Sequence, residues 1–232
     1  MKKIALLIAS LVTGASLLAQ DPAPAAPSYS VTVDFPYASK YVFRGVQLAE
    51  GSFQPSVKLT AGSFYAGLWT NQPVTSNIDN EIDLYAGYGF KLSDSWSLDA
   101  GATLYYYPEL DASTGLDDST FEGYVGVNGT FGSFTVGLYA YNDFTLEAFT
   151  LQGTVGYSIP INDKASFNLL GTIGNVSPDA GTDYTYYGLG ATLPYKLTGT
   201  ATLTVGAQYA THDIDLVDDS HFWFTVGLTV VF

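Results

Sequence analysis

HFWFTVGLTVVF, residues 221–232, is the stretch on which the fold turns. Phe222, Phe224, Val226, Leu228, Val230 and Phe232 fall on one side of an extended chain. His221, Trp223, Thr225, Gly227 and Thr229 fall on the other, with Val231 the apolar exception. Successive side chains of a strand point to opposite faces, so a period of two marks a β-strand with one apolar face. The segment before it repeats the pattern: Ala201, Leu203, Val205, Ala207 and Tyr209 oppose Thr202, Thr204, Gly206 and Gln208. Farther up, Ile82, Leu84, Ala86, Tyr88 and Phe90 oppose Glu81, Asp83, Tyr85, Gly87 and Gly89. Trp96, Leu98, Ala100, Ala102, Leu104 and Tyr106 likewise oppose Ser97, Asp99, Gly101, Thr103 and Tyr105.

A water-soluble sandwich also alternates, but its polar face meets water and usually carries Lys and Glu. Here that face is small and mostly neutral, as in a crowded barrel lumen. The composition agrees. Charged residues make up 13% of the 232, against about 25% in ordinary soluble domains. The net charge of −14 argues against nucleic acid, which needs a basic footprint. The chain has no Cys, which excludes disulfide frameworks, thiolate metal sites and Cys nucleophiles. No later segment reads as a transmembrane helix. Gly123–Asn142 is uncharged and about the length a bilayer demands, but it holds five glycines and no continuous apolar face. A membrane-spanning form of this chain must therefore be a closed barrel, because lipid leaves an open sheet edge unsatisfied.

Twelve strands are expected, over 30–47, 53–61, 64–71, 81–91, 96–107, 121–131, 134–142, 147–160, 165–174, 184–196, 200–211 and 221–232; ten is the alternative, since Pro36 interrupts the first. Aromatic residues gather near the strand ends in two belts. Phe64, Phe90, Trp96, Phe131, Phe134, Tyr157, Phe167, Tyr195 and Phe232 lie toward one side; Trp69, Tyr106, Phe149, Tyr187, Tyr209 and Phe222 lie toward the other. Such belts are the interfacial girdles of outer-membrane barrels, although aromatic residues are also simply good strand formers. Short turns at 62–63, 92–95, 132–133, 161–164 and 197–199 alternate with longer connections at 72–80, 108–120, 175–183 and 212–220. Lys91, Lys164 and Lys196 adjoin the short turns, whereas the long connections hold Asp and Glu but no Lys or Arg. Loop length and charge sign thus assign the short turns to the periplasm and the long loops to the outside.

Residues 1–19 read as an export signal: Lys2 and Lys3, an apolar run, then small residues. Cleavage follows Ala19 or a later alanine, as late as residue 26. Residues 20–29 form a short Pro/Ala-rich leader, and 30–232 form the barrel. A Phe at the end of an amphipathic last strand, Phe232, looks like the signal read by the barrel assembly machinery. The expected partners are thus that machinery, outer-membrane lipid and lipopolysaccharide, and small solutes or ions. The expected location is the bacterial outer membrane.

Residues 39–127 resemble a bacterial family of outer-membrane proteins, the TorF-like porins. The matching pieces are Tyr41-Val42-Phe43-Arg44-Gly45, Gln54-Pro55, Phe64-Tyr65-Ala66-Gly67-Leu68-Trp69, Glu81-Ile82-Asp83-Leu84-Tyr85-Ala86-Gly87-Tyr88, Tyr105-Tyr106-Tyr107-Pro108 and Phe121-Glu122-Gly123-Tyr124. The resemblance implies an outer-membrane barrel of porin type. Where that family commonly has an acidic residue ahead of the Tyr-Val-Phe-Arg-Gly run, this chain has Lys40.

Extending the alternation places Lys40, Arg44 and Lys58 on the inward face with Asp34, Glu81, Asp83, Asp99 and Glu122. An Arg or Lys aimed at the bilayer midplane costs about 2–4 kcal/mol, which favours inward placement. These charges form either a rigidifying ion-pair network or a constriction that selects small ions, and the two roles are compatible. Inward Tyr85, Tyr105, Tyr107, Tyr124 and Trp223 predict a narrow or closed lumen. The run Asp213–Asp219 lacks the spacing of a calcium loop. His212 and His221 are the only histidines, beside Asp213 and Ser220, with no nucleophile motif. No enzyme, cofactor or resident metal is expected. The expected function is a porin-like channel for small hydrophilic solutes or ions, weakly favouring cations. The alternative is a non-conducting structural or adhesive barrel acting through its acidic loops.

Overall fold

The computed structural model describes residues 29–75, 78–110, 117–215 and 219–232. The expected signal and leader segments lie outside the described residues, except for Tyr29. No helix occurs among those described. Fifteen strands are present: β1 (Tyr29–Ala38), β2 (Tyr41–Phe43), β3 (Val46–Ala49), β4 (Ser52–Phe53), β5 (Ser56–Ala61), β6 (Phe64–Pro73), β7 (Glu81–Lys91), β8 (Trp96–Tyr106), β9 (Ser119–Phe131), β10 (Phe134–Asp143), β11 (Ala148–Asn162), β12 (Ala165–Pro178), β13 (Tyr184–Lys196), β14 (Ala201–His212) and β15 (Ser220–Val231). Each barrel strand pairs antiparallel with its neighbours in chain order, and β1 pairs with β15, from Thr32↔Val231 to Ala38↔Thr225, to close the ring. β4 and β5 both pair with β1 and β6 and act as one stave, broken at Pro55, which has no N–H to give. The result is a closed antiparallel barrel of twelve staves, with no free edge.

Its two faces reverse the burial of a water-soluble protein. Outward Leu189 and Phe224 are 65% and 59% exposed, while inward Lys58, Glu81, Asp83, Asp99 and Glu122 are all under 9%. Apolar side chains cover the outside because most outward positions of the staves are apolar. The polar remainder has only the lumen to enter. Trp69 departs from the expected outer belt. On β6 it shares the parity of inward Tyr65 and Asn71 and packs on Tyr41, with ring centroids 5.4 Å apart.

The expected first strand, 30–47, needs a larger correction. β1 runs through Pro36, whose ring sits against Gly227 of β15, and stops at Ala38. Residues 39–51 are then a further connection at the long-loop end, and they carry Lys40 and Arg44. The absence of Lys and Arg from the long connections therefore does not hold for this one. Within it β2 and β3 form their own two-stranded sheet, in register Phe43↔Val46 across an Arg44-Gly45 turn. Both turn residues have positive φ, 48° and 85°, as a two-residue turn of the I′ class requires.

Candidate functional site: a hairpin across the lumen

The β2–β3 hairpin folds into the barrel. No backbone hydrogen bond joins Tyr41–Ala49 to a stave among the described residues, so side chains hold it. At its base Tyr41 is buried on Trp69. Along it, Phe43 meets Tyr105 of β8 edge-on at 6.0 Å. At its tip the Arg44 guanidinium donates from Nη2 to Glu122 Oε2 of β9 at 2.7 Å, and Tyr105 donates to the other Glu122 oxygen at 3.0 Å. The guanidinium also lies 4.8 Å from the Phe43 ring centroid and 4.9 Å from that of Tyr141. Gly45 reaches the opposite wall. A Cβ there would stand 2.7 Å from Cβ of Tyr186 and 3.3 Å from Cβ of His212. Only glycine permits both this approach and this φ.

Glu122 is 2% exposed, and the Arg44 side chain 13%. Burial of both ions costs about as much as their attraction returns, but removing one partner from such a pair costs about 3–5 kcal/mol. The pair therefore fixes where the tip docks more than it adds net stability. Arg44 is inward as expected, but by a different route: a folded-in turn delivers it, whereas the alternation of a continuous first strand was the expected cause.

Apart from Lys40, the other predicted site residues fall into two further groups. Glu81 and Asp83 stand side by side on β7, both buried, with Tyr41 and Tyr107 against Glu81. Asp83 Oδ1 has no hydrogen-bond partner among the described residues. Deeper in the lumen, Asp99 accepts from Tyr65 at 2.8 Å and from Tyr139 at 3.1 Å, Tyr65 and Tyr124 hydroxyls are 2.5 Å apart, and Asn128 donates to Tyr139 at 2.6 Å. The Lys58 ammonium lies over the Tyr65 ring at 4.7 Å. Asp34 accepts from Ser56 at 3.1 Å and Thr229 at 2.6 Å, tying the β1–β5 and β1–β15 seams. Lys40 is half-buried at the bend after β1, and neither ion pair of the described residues includes it.

Four of the inward tyrosines lie along the lumen wall. Tyr85, Tyr65, Tyr124 and Tyr139 each lie flat over the glycine opposite them on the next strand, namely Gly67, Gly87, Gly101 and Gly126. A Cβ at any of these glycines would collide with the ring. The rings thus coat the wall, and the hairpin is what crosses the opening. The facing wall, β11–β15, carries no inward charge apart from Lys196 at its short-turn end; Thr, Gly and Gln dominate it, with Trp223.

Among the described residues His212, Asp213 and Ser220 do not form a hydrolytic triad. His212 Nδ1 accepts from the Ile214 backbone at 3.2 Å, Asp213 accepts from the Thr185 backbone at 2.7 Å, and the Ser220 hydroxyl pairs with outward Tyr209 at 3.2 Å. Three groups with three separate partners have no shared proton path. Of the missed residues Gly45 and Tyr186, Tyr186 had a readable sign: alternation over 184–196 puts it on the inner face with Gly188, Gly190 and Thr192.

Solved structures share this architecture. The chain superposes on the KdgM porin in complex with disordered oligogalacturonate with a TM-score of 0.60 at 12% identity, covering 88% of this chain and 99% of that one. For the NanC porin the TM-score is 0.57 at 15% identity, with 86% and 98% covered. For an outer membrane channel from Pseudomonas putida F1 it is 0.57 at 11% identity, with 93% and 100% covered. At these identities the likeness is one of fold. No curated protein matches the sequence. A family model does, over residues 22–229. On that match the chain belongs to the Gcw_chp family, bacterial proteins of unknown function.

Proposed function

We propose that the protein is an outer-membrane channel for small hydrophilic solutes and ions that weakly favours cations. One observation carries the reading: a closed ring of staves has an apolar outside and a polar inside in which Asp34, Glu81, Asp83, Asp99, Glu122 and Asp143 outnumber Arg44, Lys58 and Lys196. Only lipid suits that outside, and an excess of carboxylates in a confined lumen raises the local concentration of cations. The export signal over residues 1–19, docking of Phe232 on the barrel assembly machinery and contact with lipopolysaccharide belong to the same reading. The narrower kinship with TorF-like porins also belongs to it, on the motifs of residues 39–127.

Planar-bilayer recording of the purified barrel tests it. Discrete conductance steps, with a reversal potential displaced toward the cation in a salt gradient, are expected. Steps absent above the lipid baseline end the channel reading; steps with anion preference end the cation reading. The hairpin across the lumen favours a second reading, a non-conducting barrel acting through its acidic loops, and a silent bilayer is the result it requires.

A further inference from the structure

Between the hairpin and the uncharged wall lies a cavity of about 190 Å³. That volume accommodates one sugar ring. Its lining is chemically mixed. Trp223 supplies an aromatic surface; Gln152, Gln208 and Thr172 supply neutral donors and acceptors, and Arg44 contributes from the roof. Gln208 and Trp223 are register partners on β14 and β15, both turned inward, so an amide and an indole stand side by side. The Gln208 amide lies over Gly190 and makes no side-chain hydrogen bond among the described residues, whereas Gln152 already accepts from Tyr186 at 2.6 Å.

We propose that this cavity binds the ring of a neutral saccharide, with Trp223 packed on the ring face and Gln208 hydrogen-bonded to its hydroxyls. The C–H bonds on one face of a pyranose are weakly positive and suit the negative face of an aromatic ring. Its hydroxyls both donate and accept, which matches a planar amide with both functions uncommitted. A site built to hydrogen-bond hydroxyls discriminates strongly against molecules that lack them. Charge decides between neutral and acidic sugars. The one cation at the cavity, Arg44, is already held by Glu122, and the remaining inward charges are mostly carboxylates. A uronate entering here finds no free base and meets repulsion. In this the lumen is unsuited to an acidic sugar such as the oligogalacturonate in the KdgM complex.

The proposal rests on the lumen as a solute path, and its test separates the two. The full barrel, refolded in an amine-oxide detergent that has no sugar headgroup, is titrated with D-glucose, maltose and D-galacturonate by calorimetry. The same preparation is recorded in a bilayer. Saturable binding of the neutral sugars at about millimolar concentration is expected, with galacturonate at least about tenfold weaker. Gln208→Ala and Trp223→Ala are each expected to weaken neutral-sugar binding by about tenfold, and Trp96→Phe, on the outer face, to leave it unchanged. Gln208→Ala removes only a wall-surface amide, so it reports even where the Trp223 variant does not fold. Neutral-sugar heats that do not saturate, galacturonate binding as tight as glucose, or indifference to Gln208→Ala would falsify the site. Conductance with no sugar binding removes the site and keeps the channel; sugar binding in a silent barrel does the reverse.

Discussion

Arg44 concentrates the chemistry of the lumen in one side chain. Its left-handed backbone, φ 48°, is uncommon for a residue with a Cβ, and the bidentate-capable guanidinium at its end is spent on one buried carboxylate and two aromatic rings. Arg44→Ala leaves Glu122 buried without its partner, a loss of about 3–5 kcal/mol that undocking of the hairpin relieves. The expected outcome is larger single-channel conductance and stronger cation preference, since a lumen base is gone and a carboxylate is uncovered. Unchanged current amplitude and reversal potential would show that the hairpin does not set the path. Arg44→Lys is not expected to restore wild-type conductance, because an ammonium lacks the planar fork that fits between Phe43 and Tyr141.

At the scale of the strand, cross-strand pairing of tyrosine with glycine lays the rings against the lumen wall. On β7 and β8, Gly87 and Gly101 are not weak spots in a strand; they are recesses for Tyr65 and Tyr124. Gly87→Ala pushes the Tyr65 ring off the wall and breaks its hydrogen bond to Asp99. The expected result is a loss of about 1–3 kcal/mol, as for other overpacked sites, seen as a lower temperature for the heat-induced mobility shift on gels, together with reduced conductance. Equal stability and equal conductance would mean that the ring has another place to go. Legibility at this scale was uneven. Every stave other than the first was readable to within a few residues, because alternation and turn residues agree there. Residues 41–49 were not, since a hairpin paired with itself alternates just as a stave does. Arg-Gly is also not among the dipeptides that announce a two-residue turn.

The whole molecule is organised by what surrounds it, apolar outside and polar within. Leu189, mid-strand on β13, and Thr172, opposite Gly188 on the inner face, sit on adjacent staves and point opposite ways. Leu189→Arg is expected to cost about 2–4 kcal/mol of folding in lipid, while Thr172→Arg is expected to fold normally and shift selectivity toward anions. Refolding yield into vesicles measures the first, and reversal potential the second. Equal yields for the two variants would contradict the assignment of faces. Cation preference is also expected to weaken as salt rises, since screening shortens the reach of the lumen carboxylates. A preference independent of ionic strength would point to a direct contact, not to the summed field.

Period-two alternation by itself determined that the chain is all-β, set the expected number of staves at twelve with ten as the alternative, and showed for most staves which side chains face in, because parity along a strand decides the face whatever the partner. It also located the inward charges Lys58, Glu81, Asp83, Asp99 and Glu122. Which of them meet, and what crosses the lumen, only the closed barrel decided. Arg44 and Glu122 lie 78 residues apart in the chain, and the pair exists because ring closure brings β9 across from the turn that follows β1. The division of the inner surface into a charged, tyrosine-coated wall and an uncharged one has the same origin. A periodic pattern states the direction of each side chain, whereas the distance between two of them across a lumen depends on the curvature of the finished sheet.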